Sequence, residues 1–151
     1  MSCKKFALFL FLIFSTFLFA QSQTKPTIIT PKTVANPIKY SPAYAEVLLR
    51  KTEREAQLEE FLLDYTDEFP KVKEIRFELD LLQKQMDKIS SVNVSDTAKL
   101  SLALGKLLVR KTELEVDVWN LLKQYNADHP EVKRAKRKIE VYEKAVKEIL
   151  P

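Results

Sequence analysis

A chain of 151 residues with one glycine, one cysteine, one histidine and 30% charged side chains has room for one ordinary domain and lacks the turn glycines a sheet protein of this size needs. Cys3 lies ahead of the leading apolar run and His129 is the lone imidazole, so disulfide staples are excluded from the exported part and a structural zinc site is argued against. The formal charge of +4 falls to about +2 without Lys4 and Lys5, too little by itself to imply a polyanionic partner.

Residues 1–20 read as an export signal. Lys4 and Lys5 precede an apolar run from Phe6 to Ala20, polar Gln21-Ser22-Gln23 follows, and Leu18 and Ala20 stand third and first before the expected cut. The run is shorter than the ~20 residues of a membrane span, so cleavage and export to the periplasm or exterior are expected, with no stable membrane insertion afterwards, and an uncleaved anchor is the alternative reading. Residues 21–40 carry three prolines and no helical period, and read as an extended linker.

The helical body is expected to begin at Ser41, a good N-cap, with Pro42 suited to the first helical position and the first helix running to about Tyr65. Its apolar positions, Val47, Leu48, Leu58, Phe61, Leu62 and Tyr65, are interrupted by charge. After Pro70 the second helix is cleaner: Val72, Ile75, Leu79, Leu82, Met86 and Ile89 follow the 3,4 alternation of a coiled-coil seam. Ser90 to Ser95 reads as a loop, with Ser95 as candidate N-cap of the third helix. That helix carries Leu104, Leu107, Leu108, Leu114, Val118, Leu121, Leu122 and Tyr125, and the fourth carries Val132, Ala135, Ile139, Tyr142, Val146 and Ile149.

An ungapped shift of 60 residues places Arg50-Lys51-Thr52-Glu53 on Arg110-Lys111-Thr112-Glu113. The same register pairs Glu55 with Glu115, Leu62 with Leu122, Tyr65 with Tyr125, Pro70 with Pro130, Val72 with Val132 and Lys73 with Lys133. Such a repeat points to duplication of one helix–turn–helix unit. The expected fold is therefore all-α: two tandem antiparallel hairpins, 41–92 and 93–151, forming a four-helix bundle or a coiled-coil-like assembly.

Three groups of residues are candidates for function. The hairpin turns hold Tyr65, Pro70 and Val72 in one copy and Tyr125, His129, Pro130 and Val132 in the other. A repeated polar seam comprises Arg50, Lys51 and Glu55 with Arg110, Lys111 and Glu115, readable as wet i,i+4 pairs or as a polar layer that sets helix register. Lys133, Arg134, Lys136, Arg137 and Lys138 form a basic cluster early in the fourth helix, without interleaved aromatics. In an exported chain this cluster reads as a solvated face, or as an anion-binding face for acidic glycan, and not as a nucleic-acid site.

The turns Tyr65-Thr66-Asp67-Glu68-Phe69-Pro70-Lys71-Val72 and Tyr125-Asn126-Ala127-Asp128-His129-Pro130-Glu131-Val132 resemble the Tyr-Thr-x-x-His-Pro-x-Val turn in the periplasmic helical region of polysaccharide chain-length determinant proteins, the polysaccharide co-polymerases. The first copy keeps the threonine and has Phe69 for the histidine; the second keeps His129 and has Asn126 for the threonine. The resemblance implies an envelope compartment and a helical-hairpin architecture. Since the chain shows no second span, no mixed membrane-proximal domain and no phosphate-binding loop, a chain-length activity does not carry over with it.

No nucleophile, base and orienting group can be assembled around one histidine, and no cofactor is implied. The expectation is a non-enzymatic interaction or scaffold protein of the cell envelope, connected through its turns with surface polysaccharide export and acting through a protein partner or self-association. The alternative is a periplasmic holdase-type chaperone. Residues 41–89 hold 12 acidic and 8 basic side chains, a balance of −4, and residues 96–150 hold 9 and 12, a balance of +3, so the two hairpins are expected to attract each other.

Overall fold

Ser41 and Ser101 open the first and third long helices in the same way. Each has extended backbone, and its hydroxyl accepts a hydrogen bond at 3.3 Å from the amide three residues on, Tyr44 or Leu104, filling one of the donors a helix start leaves open. In this computed structural model, which describes residues 36–150, α1 spans Pro42–Asp64, α2 Pro70–Ser90, α3 Leu102–Leu122 and α4 Pro130–Ile149, with a short 3-10 helix, Val94–Lys99, between α2 and α3. Proline opens α2 and α4, where its missing N–H costs nothing and its ring forbids continuation from the preceding helix. No strand occurs among the described residues.

The expected signal at 1–20 and the linker as far as residue 35 lie outside the described residues. The end of that linker belongs to the folded body: Ile38 is buried, and the Ser41 hydroxyl donates to its carbonyl at 2.7 Å. Ser95 does not cap the third helix, because it sits inside the 3-10 helix. Leu100 is buried and its carbonyl accepts from the Ala43 amide at 3.1 Å, which pins the chain to the start of α1 and delays α3 until Ser101. The register partner of Ser41 under the 60-residue shift is Ser101, so the repeat itself carried the signal for the correct cap.

α1 packs on α2 and α3, α2 also packs on α3, and α4 packs chiefly on α3. Three helices therefore touch one another, and the fourth lies along the central one. The buried residues of α3, among them Leu104, Leu108, Thr112, Leu114, Val116 and Val118, spread over roughly 200° of its circumference at 100° per residue. Those of α4 are only Val132 and Val146, and those of α1 only Ala43 and Val47.

The main apolar cluster gathers where α1 and α3 begin and α2 and α4 end: Val47, Leu82, Met86, Ile89, Leu104, Leu108 and Val146, with Ile38, Ala43 and Leu100. The seam expected on α2 is the one buried, with Leu79 half-buried. Gly105 has its place at the crossing of α1 and α3. A Cβ there would stand 2.7 Å from the Glu46 Cβ and 3.0 Å from the Ala43 backbone, closer than side chains pack, so the chain's single glycine lets two helix backbones approach.

Candidate functional site

Each hairpin turn is closed by an aromatic stack across it. Tyr65 lies on Phe69 with ring centres 4.0 Å apart, and Tyr125 on His129 at 4.1 Å. The amide of each tyrosine donates to the carbonyl four residues back, Phe61 or Leu121, at 2.9 and 2.8 Å. The amides of Phe69 and His129 donate to Thr66 and Asn126, and Lys73 and Lys133 pair with Glu68 and Asp128. Pro70 and Pro130 then start the next helix, and Val72 and Val132 are fully buried behind them. His129 adds a cap, its Nδ1 accepting from the Glu131 amide at 3.3 Å. All seven turn residues thus have packing or bonding work in the bend.

The middle of the α1, α2 and α3 cluster is polar. Glu78 is buried on α2, and its Oε1 accepts from Arg50 Nε at 3.1 Å and from Arg54 Nε at 2.9 Å. Arg50 also reaches Glu113 of α3 at 3.1 Å, and Glu113 holds Arg110 at 2.7 Å. An alternating chain of charges, Arg54, Glu78, Arg50, Glu113 and Arg110, therefore joins the two hairpins beside a cleft of about 350 Å³. Hydrogen bonding to Glu113, and more weakly to Tyr142, raises the Arg110 guanidinium further above its ordinary value against the cost of burial. Glu74 lies at the same cleft. Burial pushes its carboxyl upward, but hydrogen bonds from Lys71 and Asn120 and the charges of Lys71 and Lys123 outweigh this and leave it below its ordinary value.

Of the repeated polar seam, Arg50 and Arg110 enter this layer. Lys51 pairs with Glu55 and Lys111 with Glu115 as i,i+4 contacts along their own helices. Arg54 and Glu78 were not singled out by sequence pattern, and Glu113 only as a member of the repeated tetrad. Ile75, Glu78 and Leu82 share the 3,4 spacing, so a carboxylate on the apolar side of α2 was the readable signal. Nearby, Phe77 stacks on Trp119 at 5.0 Å and Lys123 lies over the indole at 3.2 Å from its centre, a cation–π contact. Two buried atoms are left without partners among the described residues: the Thr112 hydroxyl and one oxygen of Glu115.

The basic cluster lies on an exposed face of α4. Lys133 pairs with Asp128 and Arg134 with Glu131, both within the same hairpin, while Lys136, Arg137 and Lys138 stand in solvent. The side-chain bonds that cross between the hairpins, Arg50 with Glu113 and Glu74 with Asn120, run from α1 and α2 to α3, and the basic cluster takes no part in them. Arg134 and Lys138 also edge an open groove of about 550 Å³ between α3 and α4, floored by Leu114, Leu121 and Ala135.

On the outer side of α1, Leu48 is 42%, Leu49 58% and Leu63 85% exposed. Ala45, Leu49, Thr52, Ala56, Glu59 and Leu63 keep a 3,4 spacing on that side, and all six are exposed. This second stripe, opposite Ala43 and Val47, was not recognised in the sequence, since charges obscured the period of the first helix. Among the described residues no group of His, Cys, Asp and Glu could hold a metal ion, and no helix is long and apolar enough to cross a membrane. Comparison with family models, curated proteins and solved structures finds no match to this chain.

Proposed function

We propose that this chain is a non-enzymatic helical interaction module exported to the cell envelope. The observation that carries the reading is the exposed stripe on the outer side of α1, where Ala45, Leu49, Ala56 and Leu63, interrupted by Thr52 and Glu59, keep the spacing of a coiled-coil seam with no partner within the described residues. The repeat in sequence, with equivalent caps at Ser41 and Ser101 and equivalent stacked turns, supports an origin by duplication of one hairpin. The turn resemblance makes a surface-polysaccharide system the setting of first choice.

A photo-crosslinking residue at Leu49 in producing cells tests the module reading. The expected result is a discrete protein adduct in the envelope fraction, and absence of adducts from Leu49, Leu63 and Val141 alike overturns it. The exposed leucines also suit a holdase. Suppression of a denatured client's aggregation at stoichiometric amounts of protein would favour that second reading over a dedicated partner.

A further inference from the structure

Charges without an ion-pair partner among the described residues are sorted by helix. On α1 they are all acidic, Glu46, Glu59, Glu60 and Asp64, whereas on α4 the bases Lys136, Arg137, Lys138 and Lys144 outnumber the acids Glu140 and Glu148. The acidic helix carries the exposed leucine stripe. The basic helix carries Val141, 65% exposed, between Arg137 and Lys144 in 3,4 spacing. The 23 residues of α1 and the 20 of α4 give rods of about 34 and 30 Å, matched in length. Within one chain α4 packs chiefly on α3, and its ion pairs stay inside its own hairpin, so neither face consumes the charge of the other.

Resting on the module reading and naming its partner, we infer that the outer face of α1 docks on the exposed face of α4 of a second copy of this chain. In this contact Glu59 and Glu60 face the basic residues around Arg137 and Lys144, while Leu49, Ala56 and Leu63 pack along Val141 and the aliphatic stems of the lysines. Pairing α1 with α1 would set acid against acid. A polyanion on α4 would leave the leucines of α1 uncovered. Because the contact joins two different faces, a two-fold pair that makes it twice closes as a dimer, and any other arrangement leaves a fresh α1 and a fresh α4 on which rings or filaments grow.

The test is sedimentation of the purified exported protein over a concentration series at low and high salt, with two surface variants. The expected wild-type result is a size that grows with concentration and falls as salt screens the contact. E59K/E60K and R137E/K144E should each associate roughly tenfold more weakly or worse, a loss of about 1.4 kcal/mol or more, and an equimolar mixture of the two should regain association because each reversed face then meets its complement. A wild-type chain that stays monomeric at all concentrations in low salt overturns the inference, as does association that neither reversal changes. Both results leave the crosslinking experiment to judge the module reading, since a discrete adduct to any envelope protein supports that reading.

Discussion

The same four residues, Arg-Lys-Thr-Glu, occupy the middle of α1 and the middle of α3, and they lead different lives there. Thr52 is exposed and donates to the Leu48 carbonyl at 2.9 Å, whereas Thr112 is fully buried with no partner for its hydroxyl. Arg50 reaches inward to Glu78, while Arg110 is largely in solvent beside Glu113. Two residues before each tetrad the contrast is sharper, with Leu48 in solvent and Leu108 in the core. The shared pattern makes equivalent N-caps and turns, but the number of neighbours a helix has is settled elsewhere. α3 is central because it adds Leu114, Val116 and Val118 on further sides and packs on α1, α2 and α4, whereas α1 packs on α2 and α3.

The pair Leu48 and Leu108 offers the largest break in this comparison. Leu108→Ala is expected to cost about 2–5 kcal/mol through lost burial and a cavity, and Leu48→Ala at the equivalent position within about 0.5 kcal/mol. Urea unfolding followed by circular dichroism measures both, and equal losses would mean that α1 and α3 are buried alike. Gly105→Ala comes next, costing about 1–3 kcal/mol as the new methyl meets Glu46 and the Ala43 backbone. Its register partner Ala45, exposed on α1, should lose about 0.5–1 kcal/mol as Ala45→Gly through helix propensity alone.

The tetrad itself sharpens the contrast by a change of sign. Thr112→Val removes a buried hydroxyl that has no partner and keeps the shape, so it should stabilise by about 1 kcal/mol, whereas Thr52→Val should shift the midpoint by less than about half that. A destabilised Thr112→Val would show that the hydroxyl is bonded in solution. The smallest effect is that of Glu74, whose folded carboxyl lies below its ordinary value. A depressed carboxyl contributes stability above its unfolded value and loses it as pH falls through the folded one. Glu74→Gln should therefore be less stable than the parent at neutral pH, and the gap should close in acid; a gap independent of pH would place the effect in packing.

Spacing alone was enough for the helices that bury one clean stripe. The 3,4 alternation of α2 predicted its buried apolar residues, Val72, Ile75, Leu82, Met86 and Ile89, though not the buried Glu78 and Gln85, and Pro70 and Pro130 with their flanking tyrosines located both bends, because helix starts, ring stacking and proline geometry are decided within a few residues. Ser101 was also within reach of the repeat, although Ser95 was the more obvious cap. What the amino-acid order could not determine was which of the repeated segments supplies the central helix. That depended on distances between segments far apart in sequence: on Gly105 meeting Ala43, on Arg50 bridging Glu78 and Glu113, and on the Leu100 carbonyl holding α1 in place. Only the tertiary structure brings those atoms together, and so only there does one face of α1 become core while the opposite face is left bare.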